Sequence, residues 1–109
     1  MSSFDVLKEI EYAIKKIVTS SKTRYIMLRA KKLVKANPSL EKYLTPKVGW
    51  GLSFVLSKYQ QEGLIKILGT QRGHVMKFFI YVEDEYFDYA RQLEQQLQAQ
   101  ALENIYTTL

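Results

Sequence analysis

Apolar residues recur at helical spacing in four stretches of the chain, and each stretch predicts an α-helix. The first covers Phe4–Val18, the second covers Lys22–Ala36, and the fourth occupies the C-terminal quarter. The third begins at Thr45 and Pro46, which suit an N-cap and a first helical position. It ends at Gly63, which supplies the left-handed residue that closes a helix. The inward face of this third helix is predicted to consist of Val48, Leu52, Val55, Leu56 and Tyr59.

Two short strands with a basic turn between them are predicted to follow the third helix. Leu64–Leu68 is a short apolar run, and His74–Val82 is a second run rich in β-branched and aromatic residues. The turn, Gly69–Gly73, carries Arg72 and no bulky apolar residue, as a tip exposed to solvent requires. The predicted fold class is therefore mainly α with a small β-hairpin.

The second predicted helix is basic and contains no acidic residue. Its cations are Lys22, Arg24, Arg29, Lys31, Lys32 and Lys35. Like charges on a helix oppose its formation, so this face is expected to meet an anion from outside. The first two cations stand near the predicted helix N-terminus, where free backbone N–H groups bind phosphate. Residues 39–44 follow as one short helical turn, which is expected to place Leu40, Tyr43 and Leu44 in the core.

The net charge of +5 is unevenly distributed along the chain. Residues 1–82 hold fifteen of the sixteen Lys and Arg and five of the eleven Asp and Glu, a net charge of +10. Residues 83–109 hold the remaining arginine and six acids, a net charge of −5. This asymmetry favours a body that binds a polyanion and a tail with a different role.

A helix followed by a two-stranded hairpin with a basic, glycine-flanked tip is the layout of a winged helix-turn-helix. The passage Glu62-Gly63-Leu64-Ile65, followed by Arg72-Gly73, resembles the join between recognition helix and wing in winged-helix DNA-binding proteins. With a long C-terminal helix behind it, the chain resembles PadR-type regulators and the small winged-helix proteins of archaeal viruses and archaeal plasmid partition systems. The resemblance implies a DNA-binding domain over residues 1–82 and a dimerisation helix over residues 83–109.

The predicted DNA contacts fall into two groups. The outward residues of the third helix, at the end that reaches base edges in a major groove, are Lys47, Trp50, Ser53 and Ser57. The cations expected to hold phosphates are Lys22, Arg24, Lys31, Lys32, Arg72 and Lys77. Gly49 and Gly51, which are poor helix formers, are expected to let DNA approach the backbone; the alternative is that they accommodate Trp50 or a neighbouring helix. Trp50 is equally compatible with a core or an interface position.

Both terminal helices present an apolar stripe suited to a second subunit. The C-terminal helix starts at residues 83–85 and runs for about 24 residues, roughly 36 Å, which is longer than a small body covers alone. The residues predicted to form the dimer interface are Leu7, Ile10, Ile14, Phe87, Ala90, Leu93, Leu97 and Ala101. The alternative is that each stripe packs within its own chain.

The sequence contains no recognisable catalytic set. The chain has no cysteine and a single histidine, and no glycine-rich loop ends in the lysine and hydroxyl that cradle a nucleotide. We therefore expect no enzymatic activity, no cofactor, no metal site and no small-molecule pocket. No apolar run has the length of a membrane span, and the N-terminus reads as an amphipathic helix rather than a signal peptide, so a cytoplasmic, nucleoid- or plasmid-associated protein is expected.

The expected function is sequence-specific binding of double-stranded DNA by a homodimer on a palindromic site. The output is either transcriptional regulation or plasmid partition, in which dimers form a higher-order assembly along DNA. Two alternatives remain open from the sequence. One is a protein-interaction adaptor on a winged-helix scaffold, and the other is chromatin-like coating of DNA without sequence preference.

Overall fold

The computed structural model describes residues 3–73 and 75–108, excluding the side chains of residues 3, 4, 100, 101 and 103–108. The helices are α1 (Ser3–Ser20), α2 (Ala30–Ala36), α3 (Thr45–Gln61) and α4 (Asp84–Thr108), and the strands are β1 (Tyr25–Leu28), β2 (Ile65–Gln71) and β3 (Lys77–Val82). A 3₁₀ turn over Pro38–Lys42 joins α2 to α3. The prediction of a mainly helical fold with a small sheet is confirmed, and the architecture is compatible with a winged-helix class.

The second helix is shorter than predicted because the first half of that stretch is a strand. β1 buries Ile26 and Leu28 on one face and exposes Tyr25 on the other. The helix α2 begins only at Ala30. Four consecutive large apolar residues suit a strand as well as a helix, and here pairing with β3 along the sheet decides between them. The prediction of a helix from residue 22 is wrong, so no helix N-terminus lies beside the first two cations of this stretch.

The three strands form an antiparallel sheet in the order β1-β3-β2. The predicted hairpin is therefore two strands of a three-stranded sheet, with β3 at its centre. The core-facing side chains of β3 are Phe78, Ile80 and Val82. In β2 the register shifts between Ile67 and Gly69, which leaves Leu68 in a bulge and 56% exposed. A bulge of this kind increases the local twist of the strand.

The hairpin turn lies further along the chain than predicted. Pairing continues through Thr70 to Gln71, which lies opposite Lys77, so residues 69–71 belong to β2 rather than to the tip. The connection spans residues 72–76 and includes Val75, which is 41% exposed. The expectation of a tip without a bulky apolar residue is therefore wrong. His74, predicted to begin the second strand, lies outside the described residues.

The core forms where α1 and α3 meet, with the inner face of the sheet beside them. The fully buried residues of the two helices are Val6, Ile10, Ala13, Ile14, Val48, Leu52, Leu56 and Tyr59. Gly51 lies at this contact, since a Cβ built there would come within 2.5 Å of Ile10 Cδ1. Of the two explanations for this glycine, the neighbouring helix is the right one. Gly49 has open space around it.

The segment between α2 and α3 is fixed to α1 by a buried amide. Asn37 is 4% exposed, and its Nδ2 donates to the backbone oxygen of Glu9 at 3.0 Å and to the Glu9 carboxylate at 2.7 Å. Leu40 of the following turn is fully buried, as predicted, and Tyr43 is half-buried. Leu44 is 78% exposed, contrary to prediction, because it occupies the N-cap of α3 in an extended conformation.

The first half of α4 packs on α1 and α3 of the same chain. Tyr86 and Ala90 are buried in the core. The hydroxyl of Tyr59 donates to the Glu11 carboxylate at 2.9 Å, and the hydroxyl of Tyr89 donates to the same oxygen. Burial, together with these neighbours, raises the pKa of all three tyrosines well above the ordinary value. Within the described residues, no helix is both long and apolar enough to cross a membrane.

Candidate nucleic-acid interface

The accessible side of α3 carries the residues predicted to read bases. Lys47 and Ser57 are exposed, Trp50 is 59% exposed and Ser53 is half-buried. Trp50 stacks on Phe54, with ring centroids 6.0 Å apart and planes inclined by 24°. Residues four apart on a helix are surface neighbours, which explains this pair. All four predicted side chains are thus at least partly accessible, and Phe54 enlarges the apolar part of the surface.

Two lysines share one aromatic ring at the start of α3. The Nζ atom of Lys47 lies 5.6 Å from the ring centroid of Tyr43, and the Nζ atom of Lys42 lies 5.5 Å from it. Such cation–π contacts are worth about 0.5–1 kcal/mol at exposed sites. They bias both ammonium groups toward the N-terminal end of α3, where Lys42 adds a cation that was not among the predicted contacts.

A depression at the base of the hairpin turn brings together cations from two distant parts of the chain. It has a volume of about 260 Å³, and its lining includes Arg29, Arg72 and Lys77. The Nε atom of Arg29 is buried and has no hydrogen-bond partner among the described residues. The cationic side chains that line this depression suit a phosphate group. Arg29 was counted among the basic residues but not chosen, because its role depends on β1, which ends immediately before it.

The remaining predicted phosphate contacts differ in their availability. Lys22 and Lys31 are exposed, and neither has an ion-pair partner in the described part of the chain. Arg24 instead forms an ion pair with Asp84, and the hydrogen bond to this carboxylate raises the pKa of Arg24. Lys32 donates from Nζ to a backbone oxygen of β1 at 2.8 Å. Lys22 and Lys31 therefore remain available to an external anion, whereas the other two already have partners within the chain.

The residues predicted to form the dimer interface separate into three groups. Ile10, Ile14 and Ala90 are buried in the core of their own chain, so they have no surface to offer a partner, and we assign them to the core. Leu7 and Phe87 are half-buried against that core. Leu93 and Leu97 are half-buried on the later part of α4, and the side chain of Ala101 lies outside the described residues.

An open apolar groove of about 640 Å³ lies between α1, α3 and α4. Its apolar lining consists of Leu7, Phe54, Val55, Tyr89, Leu93 and Leu97. This groove was not predicted from the sequence, because it depends on the direction in which α4 leaves the body. The helical periodicity of α4 identifies its apolar stripe but not the helices that the stripe faces.

The described residues contain no group of three His, Asp or Glu side chains placed to hold a metal ion. Comparison of the chain with protein-family models, with curated proteins and with solved structures finds no significant match. The interpretation of the interface therefore depends on its own residues.

Proposed function

We propose that this protein binds double-stranded DNA as a homodimer, with α3 of each subunit in a major groove. The observation that carries the proposal is the accessible side of α3, which presents Lys47, Trp50, Ser53 and Ser57 together. Lysine contacts guanine or phosphate, hydroxyl groups contact either, and an apolar ring contacts a thymine methyl group. The proposed activity is binding without catalysis, and it requires no cofactor.

The charge distribution supports a nucleic acid as the partner. Residues 1–82 have a net charge of +10, and their cations lie on separate elements. Lys22 and Lys31 lie near β1 and α2, whereas Arg72 and Lys77 lie near the hairpin turn. In the proposed complex these cations hold phosphates and give affinity, while α3 gives sequence preference. Arg29 joins the phosphate contacts through the depression that it shares with Arg72 and Lys77.

The order of elements supports a winged-helix arrangement for this complex. β1 lies between the first two helices, and the hairpin of β2 and β3 follows α3 directly. In a winged helix the last helix before the hairpin enters the groove and the hairpin acts as the wing. The acidic C-terminal helix α4 is proposed as the dimerisation element, so that two α3 helices lie about 34 Å apart on a palindromic site. The biological output is transcriptional regulation or plasmid partition with dimers spreading along DNA.

Selection from a pool of random duplexes, at low and at moderate salt, tests the proposal directly. A palindromic motif retained at moderate salt is the expected result, with half-sites about one helical turn apart. Footprints that lengthen as protein is added would favour partition over simple regulation. Retention without any motif would instead indicate coating of DNA without sequence preference, and no retention at low salt would exclude DNA binding.

One observation favours a second candidate, a protein-interaction adaptor. Trp50 and Phe54 are 59% and 52% exposed and stack on each other. Clustered exposed apolar side chains mark interaction sites. The same selection separates the two candidates, since an adaptor leaves the duplex pool unbound at low salt.

A further inference from the structure

The face of the sheet that points away from the core carries aromatic rings on neighbouring strands. In the strand register, Tyr25 lies opposite Tyr81 and Met27 lies opposite Phe79. Alternate residues of β3 point inward and are buried, so Phe79 and Tyr81 share the other face. We call this surface the outer sheet face, and it consists of Tyr25, Met27, Lys66, Gly69, Gln71, Lys77, Phe79 and Tyr81.

Two of the three rings of the outer sheet face are exposed to solvent, and the third, Tyr81, is half-buried. Tyr25 is 66% exposed and Phe79 is 41% exposed, and the rings of Tyr25 and Tyr81 lie with centroids 5.0 Å apart. Gly69, the partner of Phe79 on β2, has no atom within 4 Å of the position where a Cβ would stand. The space beside the Phe79 ring is therefore unfilled, although a cross-strand partner normally packs there.

Cations flank these rings at both ends of the face. Lys77 precedes Phe79 by two residues on the same side of β3, and Lys66 lies opposite Tyr81 on β2. Lys66 is 3.6 Å from Glu83, whereas Lys77 has no acidic partner among the described residues. Arg72 lies beside Lys77, because both line the depression at the hairpin turn. The outer sheet face thus combines flat apolar surfaces with positive charge.

We propose that the outer sheet face binds single-stranded DNA by stacking unpaired bases on Tyr25, Phe79 and Tyr81. Aromatic rings with cations along their edge are what a single strand requires, since every base has a π-face and every linkage carries a negative charge. Lys77 and Arg72 hold the phosphates at the end of the sheet near the turn.

The spacing of the rings selects unpaired bases over a duplex. Phe79 and Tyr81 are two residues apart on a strand, so their Cα atoms are about 6.8 Å apart and their side chains leave the same face. Bases within a duplex are about 3.4 Å apart along each strand and are already stacked on each other. Only a strand whose bases are separated can place one base on each ring. The choice of DNA rather than RNA rests on the proposed function, which puts the protein on DNA, whereas the stacking surface itself does not depend on it.

The test compares binding of a sixteen-nucleotide oligo-dT by the unchanged protein and by ring variants, using fluorescence anisotropy. Replacing Tyr25 and Phe79 with leucine removes two rings and keeps apolar bulk, and we expect each change to weaken binding by roughly tenfold. The matched control is Tyr25→Phe with Phe79→Tyr, which keeps both rings and should bind as the unchanged protein does. An abasic oligomer of the same length keeps the phosphates without the bases, and it should bind the unchanged protein at least as weakly as oligo-dT binds the leucine variant, which keeps the Tyr81 ring.

The control measurements separate this inference from the duplex proposal. Lys47→Ala should weaken duplex binding and leave oligo-dT binding unchanged, whereas the leucine variant should do the reverse. Equal binding of oligo-dT by the leucine variant and the unchanged protein would overturn the inference. Oligo-rU bound more than tenfold tighter than oligo-dT would overturn the assignment to DNA. A leucine variant that sediments as a smaller species than the unchanged protein would show that this face joins two copies instead.

Discussion

Gly51 is a position in α3 where an added methyl group would require the Ile10 side chain to shift. An alanine Cβ would lie 2.5 Å from Ile10 Cδ1, and Ile10 is fully buried, so its side chain cannot turn away into solvent. Overpacking a core costs about 1–3 kcal/mol, which exceeds the gain of about 1 kcal/mol from replacing a helical glycine. We predict that Gly51→Ala lowers the free energy of unfolding by up to about 2 kcal/mol in urea denaturation.

The neighbouring glycine and the contacting isoleucine provide the controls for Gly51. A Cβ added at Gly49 would meet no side chain or neighbouring element within 4 Å, so Gly49→Ala should raise the free energy of unfolding by up to about 1 kcal/mol. Ile10→Val removes the atom that the new methyl group would meet. The double variant of Gly51→Ala and Ile10→Val should therefore be more stable than the sum of the two single changes predicts. Additive effects would show that the contact does not limit this position.

Tyr59 makes the stability of the protein sensitive to high pH. Its side chain is fully buried and donates to Glu11, and burial raises its pKa well above the value of about 10 for an unfolded chain. Above pH 10 the unfolded state loses a proton that the folded state keeps, so stability falls as pH rises, by up to about 1.4 kcal/mol per pH unit for each such tyrosine. Below pH 9 this contribution is constant.

Urea denaturation between pH 8 and pH 11 checks the effect of Tyr59. In Tyr59→Phe the free energy of unfolding should fall less steeply above pH 10, by the equivalent of one proton. A smaller fall should remain, because Tyr86 and Tyr89 still contribute. The same change should cost about 1–2 kcal/mol at pH 8, since the Glu11 carboxylate loses one of its two hydroxyl donors. An unchanged slope would mean that Tyr59 is not the group that titrates.

The hairpin is the element whose proposed role is most easily isolated. Arg72 is exposed beside the turn and shares a depression with Lys77. As a phosphate contact Arg72 should act on every sequence alike, so Arg72→Ala should weaken binding to all duplexes about equally. The slope of the logarithm of the binding constant against the logarithm of salt concentration, the salt slope, should fall in magnitude by roughly one. Arg91→Ala, which removes the single cation of residues 83–109, is the matched control and should leave the slope unchanged. A loss confined to one sequence would instead make Arg72 a base contact.

At the scale of elements, the sequence predicted α1, α3 and α4 because the apolar residues of each recur at helical spacing over a long stretch. It did not predict β1, since a run of four apolar residues fits either period and only the pairing with β3 settles it. The side chains of the candidate interface on α3 were predicted because they lie opposite a clear core face. Arg29 and the apolar groove were not, because both depend on contacts between elements that periodicity within one element does not contain.

Ile10, Ile14 and Ala90 show the converse error: their helical spacing was interpreted as a subunit interface. Each has the spacing of an interface, and each is used by the core of its own chain. Apolar periodicity specifies that a face is covered, but it does not specify whether the same chain or a second copy covers it. The part of α4 beyond Ala90 is where this distinction still matters, because Leu93 and Leu97 are only half-buried.

For the whole molecule, the proposed dimer depends on the later half of α4. The helix has 25 residues, and its buried residues Tyr86 and Ala90 belong to the first seven of them. Leu93 and Leu97 face the apolar groove, which a second copy would close. We predict that Leu93→Asp with Leu97→Asp converts dimers to monomers in sedimentation and weakens binding to a palindromic duplex, because each half-site then binds independently.

The control for this prediction adds the same charge to the other side of the helix. Gln95→Asp with Gln98→Asp changes two exposed positions of α4 by the same two negative charges. This control variant should sediment as the unchanged protein does and should select a DNA motif with the same half-site spacing. The comparison separates repulsion by the added acids from loss of the apolar contact. Dimers that persist in the variant with Leu93→Asp and Leu97→Asp would place the subunit interface elsewhere. The exposed pair Trp50 and Phe54, of which Phe54 lines the same groove, would then be the next surface to substitute.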